Sequence, residues 1–177
     1  MERSYDLLSP REQAILRRFS VFSGGWNLAA AEAVCSDLQG IPDAEILDLL
    51  KRLIDKSMVQ FDEENRSRRY WLLKTMKQFA GERLREVGEA IGVRSRHARF
   101  FLSIALAAET ELDGRNQVEW LYRLEREHGN LMAALNFFVD QHDSSAALLL
   151  SDALLGSFSR ISISYCGHIR NMLQEQV

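Results

Sequence analysis

Apolar residues in the first half of the chain recur every three or four positions, in short runs separated by glycine, proline or capping side chains. Ile15, Leu16 and Phe19 form the first stripe. Ser9 stands before it as an N-cap, Pro10 occupies the first helical position, and Glu12 lies three residues after Ser9, completing a capping box. Gly24-Gly25 then breaks the pattern, since two glycines admit the positive φ of a sharp turn. Asn27 is expected to cap a second helix through Ser36, with Leu28, Ala31 and Val34 inward. Asp43 is expected to cap a third, Ala44 to Lys56, striped by Ile46, Leu47, Leu50, Leu53 and Ile54.

The period changes from helical to alternating after Ser57. Val59 and Phe61 stand two apart, and "RRYWLL" follows the polar stretch "EENRS". This predicts a β-hairpin pairing Met58–Asp62 with Arg68–Leu73. Three helices followed by a hairpin is the order of a winged helix.

Beyond it the helical period returns. Met76, Phe79, Ala80 and Leu84 stripe a helix that Gly88 ends, and Phe100, Phe101, Ile104 and Ala108 stripe the next, to about Leu112. Val118, Leu121 and Leu124 predict a shorter helix. Asn130 is expected to cap another, carrying Leu131, Ala134, Leu135 and Phe138. A further helix is expected from Ala146 to about Phe158, and a last one around Ile169, Met172 and Leu173. The expected architecture is mainly α: a winged helix over residues 1–88, then an α-helical tetratricopeptide-like region over 89–177.

Composition narrows the function classes. The 177 residues are 46% hydrophobic and 27% charged, with a formal net charge of −3. That balance argues against a dedicated nucleic-acid binder. The charge is uneven, however. Residues 1–65 hold 7 basic and 12 acidic residues, residues 66–99 hold 10 and 3, and residues 100–177 hold 5 and 10. A basic waist therefore lies between two acidic ends. Its forward part, Arg66, Arg68, Arg69, Lys74 and Lys77, is the candidate contact for phosphate or an acidic partner. Arg94, Arg96, His97 and Arg99 form a second basic group, read as an exposed helix face. The third helix, the usual base reader, offers Asp43, Glu45, Asp48 and Asp55 against Lys51, Arg52 and Lys56, so phosphates would repel it.

Little else suggests chemistry. His97, His128, His142 and His168 lack metal-ligand spacing, Cys35 reads as core, and Cys166 reads as a tail thiol. Glu125 and Glu127 fall on different helix faces and make no acid/base pair. No catalysis, metal or cofactor is expected. No apolar run is long enough for a membrane span, and a cytoplasmic location is expected.

Several blocks in order carry a family likeness: "SYDLLSPREQAILRRFSVFSGGWNLAAAEAVC", "LLKRLIDKSMV", "RYWLLKTMKQFAGERL" and "EWLYRLEREHGNLMAALNF". Together they resemble the segment that follows the nucleotide-binding domain in bacterial STAND-type ATPases. These are relatives of the NB-ARC proteins and include LuxR/AfsR-like multidomain transcriptional regulators. The likeness spans about residues 4–140. It implies a winged helix that packs on an ATPase module, in cis or in trans, and helical repeats that receive a protein partner or inducer. ATP or ADP would then belong to the ATPase module, because no G-x-x-x-x-G-K-[ST] loop occurs here. The likeness begins within the first few residues, as in an excised fragment or a shortened relative. The family's Met-His-Asp motif matches Leu72, Leu73 and Lys74, so its histidine is absent. Two alternatives remain open: a stand-alone winged-helix DNA-binding factor using the basic hairpin, and a helical adaptor or dimerisation module.

Overall fold

The computed structural model describes residues 2–37, 40–64, 67–112 and 114–156. A short helix α1 (Glu2–Asp6), not anticipated from the sequence, opens the chain and buries Tyr5. Helix α2 (Pro10–Phe19) starts where its cap signals put it. The Ser9 hydroxyl accepts from the Glu12 amide at 3.3 Å, and the Glu12 carboxylate accepts from the Ser9 amide at 2.7 Å. Helix α3 (Leu28–Cys35) is capped by the Asn27 side chain, which accepts from the Ala30 amide at 2.9 Å. Helix α4 (Asp43–Asp55) begins at Asp43 itself, with Pro42 as N-cap, and buries Leu49 where Leu47 was expected.

The hairpin is present, two residues further along its first strand than the alternation predicted. Strands β1 (Gln60–Glu64) and β2 (Ser67–Trp71) pair antiparallel, with Phe61 opposite Tyr70 and Glu63 opposite Arg68. Trp26 adds an antiparallel bridge to Tyr70, through backbone bonds of 2.9 and 2.8 Å. Helix α5 (Lys74–Glu86) follows and ends before Gly88, whose φ of +74° suits a residue without Cβ.

Helix α6 (Ala90–Glu111) then packs along α7 (Gln117–Asp140). Here the structure corrects the sequence reading: the two helices expected on either side of Asn130 are one. Asn130 is fully buried in the middle of α7 and caps nothing, while Val118, assigned to a buried stripe, is exposed. Residues 144–156 form a further helix, α8, which buries Leu150, Ala153 and Leu154. The last expected helix, with Cys166 and His168, lies outside the described residues. The architecture is thus mainly helical with one small hairpin, a winged helix followed by a helical region.

One hydrophobic core runs through both parts. Trp26 stacks on Phe19 at 4.8 Å and on Phe22 at 5.0 Å, and Phe22 meets Phe101 of α6 edge-to-face at 6.3 Å. Arg18 of α2 adds a polar tie. It donates to the Cys35 carbonyl at 2.8 Å and to Glu89, just before α6, at 2.8 Å, and it pairs with Asp37. Burial pushes the Cys35 thiol far up, so this cysteine behaves as a small apolar core group.

Candidate functional site at the hairpin junction

The Gly24-Gly25 turn is the meeting point of the winged helix and the helical region. Both glycines have positive φ, +86° and +93°. A Cβ on Gly25 would lie 2.7 Å from the Tyr70 carbonyl oxygen, so the turn can hug β2 only with glycine there. On the other side α7 comes equally close: a Cβ on Gly129 would lie 2.7 Å from the Ser23 carbonyl oxygen.

This proximity puts the turn's backbone within reach of two side chains, Asn130 and Arg69. The Asn130 carbonyl oxygen accepts from the Ser23 amide at 2.6 Å, and its amide donates to the Gly25 carbonyl at 2.8 Å and to Glu127 at 2.7 Å. Its oxygen also lies 3.2 Å from His97 Nε2. An amide oxygen only accepts, so neutral His97 carries its proton on Nε2 and donates it. All four bonding places of Asn130 are then used. Arg69 of β2 donates to the Gly24 carbonyl at 2.9 and 3.0 Å, to the Arg126 carbonyl at 2.8 Å and to Glu127 Oε1 at 2.7 Å. The Arg69 and Glu127 side chains retain only 16% and 10% exposure. Breaking such a pair from one side strands the other charge, which costs more than intact exposed pairs contribute.

The five basic candidates therefore part company. Arg69 faces inward and is already paired with a carboxylate of its own chain. Arg68 is exposed, bonds Glu63 across the hairpin at 3.2 Å and lies over the Phe61 ring. Lys74 is exposed in the first turn of α5. Lys77 is half-buried beside the Gly24-Gly25 turn, and desolvation lowers its pKa. Arg66 lies outside the described residues. In the second basic group, Arg94 and Arg99 are exposed, as expected of a helix face. His97 is buried instead, and Arg96 donates to the Val34 carbonyl at 2.8 Å. Along α4, Lys51 pairs with Asp48 and Lys56 pairs with Glu12, while Arg11 of α2 holds Glu45. No group of His, Cys, Asp and Glu that would hold a metal occurs among the described residues.

His97, Glu127 and Asn130 were not singled out from the sequence as a site. The available signal was their phase. Glu127 stands on the stripe Leu124, Leu131, Ala134 and Phe138, and His97 stands on the stripe Val93, Phe101 and Ile104. A polar residue on a buried stripe needs partners from another element.

Comparison with known proteins places this geometry in context. The chain is 37% identical over 153 residues to proteins of Mycobacterium tuberculosis and Mycobacterium bovis that carry the provisional name of HTH-type transcriptional regulators. The match covers 85% of this chain and 17% of each relative, so the chain spans a small part of their length. An uncharacterized protein of M. tuberculosis is 39% identical over 97 residues, 54% of this chain and 24% of that protein. No protein-family model matches the chain. No solved structure matches it either.

Two outcomes are expected of the junction. Arg69→Ala should lower stability by about 3 kcal/mol in urea denaturation, because it strands the Glu127 carboxylate. The double change Arg69→Met with Glu127→Leu should recover part of that loss. The second outcome concerns His97, whose pKa burial lowers from 6.5 to about 4. The fold holds it neutral, while the unfolded chain takes up a proton near pH 6.5. Its contribution is therefore complete above pH 6.5 and is lost as pH falls from 6.5 to about 4, by about 3 kcal/mol in all. Urea midpoints at pH 7 and 4.5 should differ less in His97→Phe than in the wild type.

Proposed function

We propose that this chain is a non-catalytic regulatory segment of a transcriptional regulator and works through protein contacts rather than by reading bases. The observation that carries the reading is the inward commitment of Arg69. This hairpin arginine, a candidate phosphate contact in the sequence, is instead held by Glu127 and three backbone carbonyls. Similarity to the mycobacterial HTH-type regulators supports the transcriptional context. The exposed face of α4 mixes Asp43, Asp48 and Asp55 with Lys51 and Arg52, which supports a winged helix that packs on protein, since carboxylates facing a duplex lower affinity.

The ordered likeness to STAND-type ATPases supports a finer reading. The winged helix packs against a nucleotide-binding ATPase domain, in cis or in trans. The helices after α5 receive a protein partner or inducer. ATP and ADP belong to that ATPase domain, and the setting is cytoplasmic. With Leu72, Leu73 and Lys74 at the positions of the Met-His-Asp motif, this segment transmits nucleotide state by packing and not through a histidine. The junction suits that role, because a displacement of the hairpin is passed to α7 through Arg69 and Asn130.

A gel-shift series on the full chain, run between about 50 and 200 mM salt, tests the reading. No retardation of random or promoter duplexes is expected at either end. The tagged chain should retain a P-loop ATPase, identified by mass spectrometry, from cells that express its relatives. Retardation with a sequence preference and a steep fall with salt would overturn the reading in favour of a stand-alone DNA-binding factor.

A further inference from the structure

Beside the junction lies a cleft of about 300 Å³ lined by Phe19, Phe22, Gly24, Gly25, Trp26, Trp71, Leu72 and Lys77. That volume is at the lower end of ligand pockets, which run roughly 300–1,000 Å³. Its side-chain walls are aromatic and aliphatic, and Lys77 supplies the single charge.

Two polar side-chain groups on residues that line the cleft have no partner among the described residues. The Trp26 indole N–H is buried, with Trp26 only 1% exposed, and bonds no acceptor. Burying a donor unpaired costs about 1–3 kcal/mol, and native structures rarely leave one so without a reason. Lys77 is half-buried, and its ammonium forms no ion pair or hydrogen bond among the described residues. Other cations of the basic waist, Arg68, Arg69 and Arg83, each hold a carboxylate. Both unpartnered groups are donors only: an indole N–H cannot accept, and neither can an ammonium. The backbone does not answer them, because the Gly24 and Gly25 carbonyls are taken by Arg69 and Asn130.

The larger depression lined by Leu7, Ser9, Glu12, Arg52 and Lys56 has no such deficit, since Glu12 and Lys56 satisfy each other at 2.7 Å.

We propose that the Trp26–Trp71–Lys77 cleft binds a small aromatic carboxylate, its ring against the aromatic walls and its carboxylate answering the Trp26 and Lys77 donors. The ligand brings the acceptors and the negative charge that the lining lacks, and its flat apolar body matches what the walls offer. The site shares Gly24 and Gly25 with the junction, so its occupancy bears on the same turn that α7 and β2 hold. This inference does not require an ATPase partner and stands or falls separately from the reading above.

The test uses the indole N–H resonances of the full ¹⁵N-labelled chain, which has three tryptophans. The Trp26 signal is assigned by its loss in Trp26→Phe. The probes are benzoate, phenylacetate and indole-3-acetate, each paired with its neutral amide. At least one carboxylate is expected to move the Trp26 resonance downfield and saturably, while Trp120, outside the cleft, stays put. The matching amide should bind at least about tenfold more weakly, a step of about 1.4 kcal/mol. Lys77→Met should weaken the acid to the level of the amide, Lys77→Arg should retain it, and Lys74→Met should leave it unchanged. Absence of any saturable Trp26 shift with all three acids overturns the proposal. So does equal affinity for acid and amide, or binding that Lys77→Met leaves intact.

Discussion

A buried carboxamide sets the terms for this molecule. Asn130 sits inside α7 with no exposure, and an amide placed there must find four partners or destabilise the fold. It finds them in Ser23, Gly25, Glu127 and His97, which come from a turn, from its own helix and from α6. The turn must therefore come to the helix. That approach leaves no room for a Cβ at Gly129, and the turn's contact with β2 leaves none at Gly25. Glu127, drawn into the same interior, brings in Arg69 as its counter-charge. The winged helix and the helical region are held in register by this chain of requirements as well as by the shared aromatic core.

The same requirements redistribute the chain's charge. Residues 66–99 looked like a basic surface, yet Arg69 and Arg96 turn inward to carbonyls, and Arg69 also meets a carboxylate. Lys74, Arg94 and Arg99 remain outward. A charge run along a sequence becomes a surface patch only where the fold leaves it unsatisfied. Here Arg69 and Arg96 tie the winged helix to the helices behind it instead of adding to its outer charge.

Local signals in the sequence were reliable where chemistry is local. The Ser9–Glu12 capping box, the Asn27 cap and the glycine stop at Gly88 depend on neighbours a few residues away, and each stands where the pattern put it. The alternation at Val59 and Phe61 announced a hairpin but not its register, and nothing local announced the bridge from Trp26 to Tyr70, over forty residues apart. Asn130 was misread for a physical reason. Gly-Asn is a common helix boundary, and only the backbone of Ser23, distant in sequence, explains why this pair lies mid-helix. Likewise the role of Arg69 depends on Glu127, which spacing alone left without a partner. The site was legible only as polar residues on apolar stripes.

If the buried Asn130 network joins hairpin and helices into one cooperative unit, native-state hydrogen exchange reads it directly. The Trp26 and Tyr70 amides, which bridge the turn to β2, should open with the same free energy as the Leu131 and Ala134 amides of α7, and the two sets should fall together as urea is added. Exchange of Trp26 and Tyr70 through a separate, lower-energy opening, with α7 still protected, would contradict the account.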